Sequence, residues 1–215
     1  MIKIDKLIDQ YLLSHIDDED PLLARLYRQT YLKMVNGRMC SGHLQGSLLT
    51  LLSKLIRPSC ILEIGTYTGY SALCLVKGLS ANGMLHTIEI NDELEQFASD
   101  FFEESEMRNR IIQYIGDAED IIPKMEEKFD LVFIDADKRK YLSHYQLAFP
   151  KVALGGIIIA DNTLWAGKVI HPVIRTDDQT ICIMQFNDFV KDDPRVETFM
   201  IPIRDGMTVL RKISE

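Results

Sequence analysis

The feature that most constrains this chain is an alternation of short apolar runs with segments of helical length. The runs are Cys60–Ile64, then residues 84–90, 110–115, Phe129–Ile134 and 156–160. Segments such as 91–107 and 138–149 lie between them and have the length and composition of helices. Parallel strands need a crossover, usually a helix, so this repeat predicts a parallel sheet covered on both faces. The chain ends differently. Runs at 196–203 and 207–213 are separated by Arg204, Asp205 and Gly206. Asp-Gly between apolar runs is a hairpin signal, so the sheet should finish with an antiparallel pair at or near its edge. The expected fold class is α/β, a mostly parallel seven-stranded sheet with an antiparallel C-terminal hairpin.

Residues 1–58 read as helices ahead of an α/β core spanning 59–215. Pro21 suits a first helical position, and Asp18, Glu19 and Asp20 suit the N-terminus it opens. Leu22, Leu23, Leu26, Thr30, Tyr31 and Met34 then recur at helical spacing. A further helix is expected from about His43 to Ile56, stopping before Pro58. The acidic run 17–20 reads as a solvated helix start. A length of 215 residues suits one domain with its own core.

Composition excludes some classes of function. No apolar run approaches the ~20 residues that span a bilayer. The N-terminus mixes charges into its apolar positions and lacks the core of a secretory signal, which reads as cytoplasmic. A net charge of −8 disfavours non-specific nucleic-acid binding. Cys40, Cys60, Cys74 and Cys182 form no CxxC pair and read as free, mostly buried thiols. The five histidines share no metal-ligand spacing.

Open parallel sheets bind ligands beyond the C-terminal ends of their strands. The first strand runs into Glu63-Ile64-Gly65-Thr66-Tyr67-Thr68-Gly69-Tyr70-Ser71. Two glycines at a strand-to-helix turn let a ligand approach the backbone, although such a pair also serves plain tight turns. Glu89 ends the second strand, 24 positions after Gly65, where a carboxylate accepts hydrogen bonds from a ribose diol. Tyr67 stands where a dinucleotide fingerprint has its second glycine, and no P-loop lysine follows. A nucleoside without a phosphate chain is therefore favoured over a nicotinamide dinucleotide.

Two further strand ends carry carboxylates, in Ile134-Asp135-Ala136-Asp137-Lys138 and Ala160-Asp161-Asn162. Asp135, Asp161 and Asn162 offer two carboxylates and an amide oxygen, hard ligands suited to Mg²⁺, Mn²⁺ or Ca²⁺. Such an ion acts as a Lewis acid and template for a chelating diol and favours an ionised phenol. Lys138 is the candidate base, since burial and a nearby cation both lower a lysine pKa. The plainer readings are a helix cap for Asp137 and an Asx turn for Asp161-Asn162. Trp165 reads equally as a stacking surface for an aromatic substrate or as a half-buried loop anchor.

The constellation resembles the metal-dependent class I S-adenosylmethionine O-methyltransferases, the group containing catechol and caffeoyl-CoA O-methyltransferases. Glu63-x-Gly65-x-x-x-Gly69 looks like motif I of that group. The run 161–169 and Pro202-Ile203-Arg204-Asp205-Gly206 are also similar to its signatures. The resemblance implies a Rossmann-like methyltransferase fold and cofactor contacts from Met39, Ser41, Glu63, Gly65, Thr66, Tyr67, Ser71, Glu89, Asp117, Ala118 and Asp135. It implies metal ligation by Asp135, Asp161 and Asn162, catalysis by Lys138 with Asp135, and substrate contacts from Lys138 and Trp165. It also implies a homodimer, in line with the apolar faces of the first helices. The implied reaction is methylation of a vicinal dihydroxy phenol, S-adenosylmethionine being the donor. The alternatives are methylation of a hydroxylated uridine in tRNA, a binding-only nucleotide protein, and a nicotinamide-dependent oxidoreductase. Two departures stand out. Gly42-His43 replaces an acidic pair common in plant members, and Arg139-Lys140 follows the lysine where smaller polar residues are usual.

Overall fold

The computed structural model describes residues 6–215. Its seven strands form one sheet in the order β3-β2-β1-β4-β5-β7-β6, and the chain divides into two compact units, one ending at Asp117 and one running Ala118–Glu215.

The first unit holds helices α1 (Lys6–Leu13), α2 (Pro21–Lys33), α3 (Gly42–Ile56), α4 (Tyr70–Leu75) and α5 (Glu95–Glu104). Its strands are β1 (Cys60–Ile64), β2 (Met84–Glu89) and β3 (Ile111–Ile115). Both ladders are parallel: Cys60 to Ile64 pair with Met84 to Ile88, and Leu85 to Glu89 with Ile111 to Ile115. β1 and β2 are almost wholly buried, and with them the polar side chains of Glu63, His86, Thr87 and Glu89 that their apolar runs contain. α2 begins as expected, with Asp20 accepting the Leu22 N–H at 2.8 Å and Pro21 in the first turn. α3 ends on Arg57 at φ 53, a left-handed cap just before Pro58.

Asp17 and Asp18 are exposed, as a solvated helix start requires, whereas Glu19 and Asp20 are half-buried and find partners. The Tyr70 hydroxyl donates to Glu19 at 2.6 Å, and the Lys77 ammonium pairs with Asp20 at 2.7 Å. Burial alone raises the Asp20 pKa, but Lys77 and the Leu22 amide outweigh it and hold the carboxyl below its usual value. α4 and the turn after it supply both partners, which no local pattern around residue 20 reveals.

The second unit holds α6 (Ala118–Ile121), α7 (Tyr141–Ala148), α8 (Asp178–Asp192) and strands β4 (Phe129–Ile134), β5 (Val152–Asp161), β6 (Val196–Ile201) and β7 (Met207–Lys212). β4 and β5 are parallel, whereas β5–β7 and β6–β7 are antiparallel, so the expected hairpin is present with β6 outermost. β5 starts four residues earlier than the apolar pattern suggests. Phe129 pairs with Val152 and Leu131 with Ile157, so two steps along β4 span five along β5. Gly155, at φ 82, lies inside that irregularity and conceals the strand's beginning. Tyr141, Tyr145 and Phe186 pack edge to face in this unit's core.

None of the four cysteines forms a disulfide. Cys40 and Cys74 are buried, Cys60 and Cys182 half-buried. Burial pushes the Cys74 thiol up to about 12, so it is an inert core group. No described helix is long and apolar enough to cross a membrane.

Candidate active site

In the first unit the functional candidates gather on the loop after β1. Gly65 and Thr66 both donate their N–H to the Ile88 carbonyl, at 2.9 and 3.2 Å. That tucks the loop under the end of β2. Gly69 turns into α4 at φ 89, and a Cβ there would lie 2.6 Å from the Phe102 ring, so only glycine fits. Glu63 is fully buried and accepts from the Thr87 hydroxyl at 2.5 Å; Thr87 in turn meets the Thr66 hydroxyl at 2.5 Å.

Glu89 is aimed by the main chain. Its Oε2 accepts the Tyr67 N–H at 2.7 Å and its Oε1 accepts the Asn91 N–H at 3.0 Å. A carboxylate has about four lone-pair sites, so two backbone bonds leave acceptor capacity on both oxygens. Tyr67 itself sits at φ 48, and its buried hydroxyl has no hydrogen-bond partner among the described residues. Burial, with Cys40 and Tyr31 adding to it, raises the pKa of that phenol. Ser71 is buried on α4. The Gly116 N–H donates to the Glu89 carbonyl at 2.8 Å, which places Asp117 directly after the β3 strand end. Ser41 is buried just ahead of α3, while Met39, on the preceding turn, is 56% exposed.

In the second unit a different construction holds the expected acceptor-side residues. Asp135 follows β4 directly. The buried Lys138 donates from Nζ to Asp135 Oδ1 and to the Tyr141 hydroxyl, both at 2.7 Å. Tyr141 donates its own proton to the Asp161 carbonyl at 2.9 Å. Burial, and then the negative charge of Asp135 and Asp161, keeps that phenol well above its ordinary pKa. Tyr141 therefore stays a neutral donor that ties Lys138 to the end of β5. Lys138 also lies 6.0 Å from the centre of the Trp165 ring. Asp137 behaves as the plainer reading has it, capping the next turn by accepting the Arg139 N–H at 3.0 Å.

Asp161 is buried at the end of β5, and its Oδ1 accepts the Asn162 N–H at 2.8 Å. Asn162 is left-handed at φ 57, and Trp165, Ala166 and Gly167 follow at φ 43, 54 and 76. The hairpin segment 202–206 holds this loop. The Thr163 and Leu164 N–H groups donate to the Gly206 and Asp205 carbonyls, at 3.1 and 2.8 Å, and the Ala166 N–H donates to the Asp205 carboxylate at 2.6 Å. The two stretches singled out in the sequence are thus one structure. Trp165 is half-buried, and its indole N–H is buried without a partner among the described residues.

Sequence reading missed Tyr141, Asn187 and Thr208. Tyr141 was findable, being one helical turn after Lys138. Asn187 donates to the Thr163 carbonyl at 2.8 Å and Thr208 to the Thr163 hydroxyl at 2.8 Å. Both bonds join positions far apart in the chain, and no local pattern announces them.

Residues 13–213 match the family described as O-methyltransferase. The caffeoyl-CoA O-methyltransferase of Petroselinum crispum is 30% identical over 225 residues, covering 100% of this chain and 93% of that protein. The O-methyltransferase TomG from Streptomyces achromogenes, involved in tomaymycin synthesis and solved with SAM, has a TM-score of 0.89 at 27% identity, covering 97% of this chain and 96% of that one. The O-methyltransferase from Bacillus cereus, solved with SAH, has a TM-score of 0.89 at 26% identity, covering 96% of this chain and 97% of that one. With the match spanning nearly the whole sequence, the chain belongs to the O-methyltransferase family.

Proposed function

We propose that this O-methyltransferase moves a methyl group from S-adenosylmethionine to one hydroxyl of a catechol-like small molecule, with a divalent cation at Asp135, Asp161 and Asn162. The observation that carries the reading is the Lys138 cluster: a buried ammonium 2.7 Å from Asp135 and, through Tyr141, tied to the Asp161 carbonyl.

The residues fit both groups. Glu89, with acceptor capacity left after its two backbone bonds, suits the ribose hydroxyls of the donor. Gly65, Thr66, Tyr67 and Ser71 line the turn on which the nucleoside would rest, and Asp117 and Ala118 follow β3 where its base would lie. Met39, Ser41, Glu63 and Asp135 complete the proposed set. On the acceptor side, among the described residues no group of three or more His, Cys, Asp and Glu side chains is placed to hold an ion. A cation at Asp135 and Asp161 therefore needs the Asn162 amide as well, giving an all-oxygen set suited to Mg²⁺, Mn²⁺ or Ca²⁺. When bound, the cation supplies Lewis acidity toward a phenol oxygen, and S-adenosylmethionine supplies an electrophilic methyl group.

The remaining chemistry falls to the chain's own side chains. Asp135 and Tyr141 fix the Lys138 Nζ, which in its neutral form takes the proton of the reacting hydroxyl. Trp165 presents its indole beside that amine and offers an aromatic face to the substrate. Holding oxygen and methyl in line then lowers the barrier by proximity. Exposed Leu7, Tyr11, Leu32 and Leu55 on the N-terminal helices, with Val35 in the turn after α2, support a homodimer.

The test is incubation with S-adenosylmethionine and caffeic acid, with Mg²⁺ or with EDTA, following S-adenosylhomocysteine. Product that EDTA abolishes is expected. Turnover indifferent to EDTA would remove the metal from this reading, and no turnover on any dihydroxyphenol would remove the substrate class.

A further inference from the structure

Three successive peptide planes around Asn162 are each held at both ends. The plane between Asp161 and Asn162 is held by Tyr141 on the Asp161 carbonyl, at 2.9 Å, and by the Asn162 N–H on Asp161 Oδ1, at 2.8 Å. The plane between Asn162 and Thr163 is held by the Trp165 N–H on the Asn162 carbonyl and by the Thr163 N–H on Gly206, both at 3.1 Å. In the third plane the Leu164 N–H reaches the Asp205 carbonyl at 2.8 Å, and the Thr163 carbonyl accepts from Asn187 Nδ2 at 2.8 Å. Thr163 is fully buried, and its hydroxyl is held by Thr208 at 2.8 Å.

Asn162 sits at φ 57, a left-handed conformation that asparagine tolerates better than most residues with side chains, and the three held planes fix it there. Asn187 contributes the bond that comes from α8; the other holds come from α7, from the hairpin or from the loop itself. A carbonyl only accepts, so the nitrogen of the Asn187 amide must be the atom that faces Thr163.

We propose that Asn187 is a positioning residue for the metal site: by anchoring the Thr163 carbonyl to α8, it fixes the backbone that aims the Asn162 side chain. The inference rests on reading Asn162 as a metal ligand. Supporting groups of this kind typically alter metal affinity 10–100-fold when removed.

The test uses the full-length protein and Mn²⁺ alone, with free Mn²⁺ counted by electron paramagnetic resonance. Binding of S-adenosylmethionine is measured separately by calorimetry in EDTA. Asn187→Ala and Asn187→Asp, the latter turning an acceptor toward the Thr163 carbonyl, should each weaken Mn²⁺ binding by roughly 10–100-fold. Donor affinity should stay within about twofold, because the proposed donor residues make none of these bonds. Thr208→Val should weaken Mn²⁺ binding less, by several-fold, and carries the question if Asn187→Ala does not fold. Mn²⁺ affinity unchanged in variants whose melting temperature falls overturns the inference and leaves Asn187 a packing residue. Wild-type protein that binds no Mn²⁺ overturns the metal reading, and this inference with it.

Discussion

The loops 65–71 and 161–167 both lean on left-handed backbone, but they achieve it in opposite ways. In the first, two of the three left-handed residues are glycines, Gly65 and Gly69; the N–H groups of Gly65, Thr66, Tyr67 and Gly69 bond within the loop or to the neighbouring strand β2, while the Thr68 and Tyr70 side chains reach Thr30 and Glu19. In the second, Asn162, Trp165 and Ala166 carry side chains and only Gly167 does not. Each such residue costs roughly 1 kcal/mol or more, and the compensating bonds reach out to Tyr141, Asn187, Asp205 and Gly206. A glycine loop carries its shape in its own sequence. A loop with side chains at those positions takes its shape from the fold.

The sharpest way to separate the two regions is through the chemistry each is assigned. Lys138→Met keeps the bulk and removes the amine. It should lower kcat by about 10²–10⁴-fold, the usual contribution of a general base. Donor binding, measured by calorimetry, should stay within about twofold. A loss of donor affinity that matches the loss of turnover would show that Lys138 serves folding of the whole site rather than the proton.

The converse variant is Glu89→Gln. A hydrogen bond to a charged group contributes about 1.5–3 kcal/mol, so donor affinity should fall roughly 10–100-fold. Mn²⁺ affinity should be unmoved. Unchanged donor binding would mean that the Glu89 carboxylate serves only the Tyr67 and Asn91 amides.

How far the sequence could be read follows the same division. β1 and β4 match their apolar runs residue for residue, because both are mostly buried and no glycine or proline breaks them. β5 was cut short at Gly155, which breaks the apolar pattern without breaking the strand. The placement of Asp135 and Lys138 after β4, and of Asp161 and Asn162 at the end of β5, was legible, and the Lys138 partner Tyr141 lies one turn further on. The clamp of Thr208 and Asn187 on Thr163 was not legible. Its bonds span 45 and 24 positions, and neither residue type announces a partner at that distance. The partners of Glu19 and Asp20, Tyr70 and Lys77, were illegible for the same reason.

Each loop also rests on one glycine that admits no side chain, which permits a matched pair of variants. A Cβ on Gly206, at φ 83, would lie 2.3 Å from Leu164 Cγ, and one on Gly69, at φ 89, would lie 2.6 Å from Phe102. Either change to Ala should cost about 1–3 kcal/mol, and so lower the melting temperature by several degrees in a chain of this size. The ligand effects should diverge. Gly206→Ala should weaken Mn²⁺ binding, and Gly69→Ala should weaken S-adenosylmethionine binding. If both variants weaken both ligands equally, the contrast between the two loops fails and the regions respond as one.

The smallest effect is expected where a charged group serves neither loop, and it calibrates the others. Asp193 is buried at the end of α8. Its Oδ2 accepts from the Arg195 guanidinium at 2.7 Å and from the Tyr145 hydroxyl at 2.9 Å, while its Oδ1 takes the Arg195 N–H at 3.0 Å. The Arg195 side chain is the main cause that holds the carboxyl at about 2. That lies below the value near 3.9 of an unfolded chain. The folded state therefore prefers the ionised form. The stabilisation is present in full above about pH 4 and disappears as the pH falls through about 2. Asp193→Asn should then unfold at a lower urea concentration than wild type at pH 6, with the gap narrowing steadily as the acid limb is approached. At neutral pH its turnover and both ligand affinities should match wild type within about twofold. A gap that stays constant down to pH 2 would assign the loss to altered packing around Tyr145 rather than to the charge. A change in either affinity would mean that strain at the end of α8 travels along the helix to Asn187, and the Asn187 variants would then have to be read against that background.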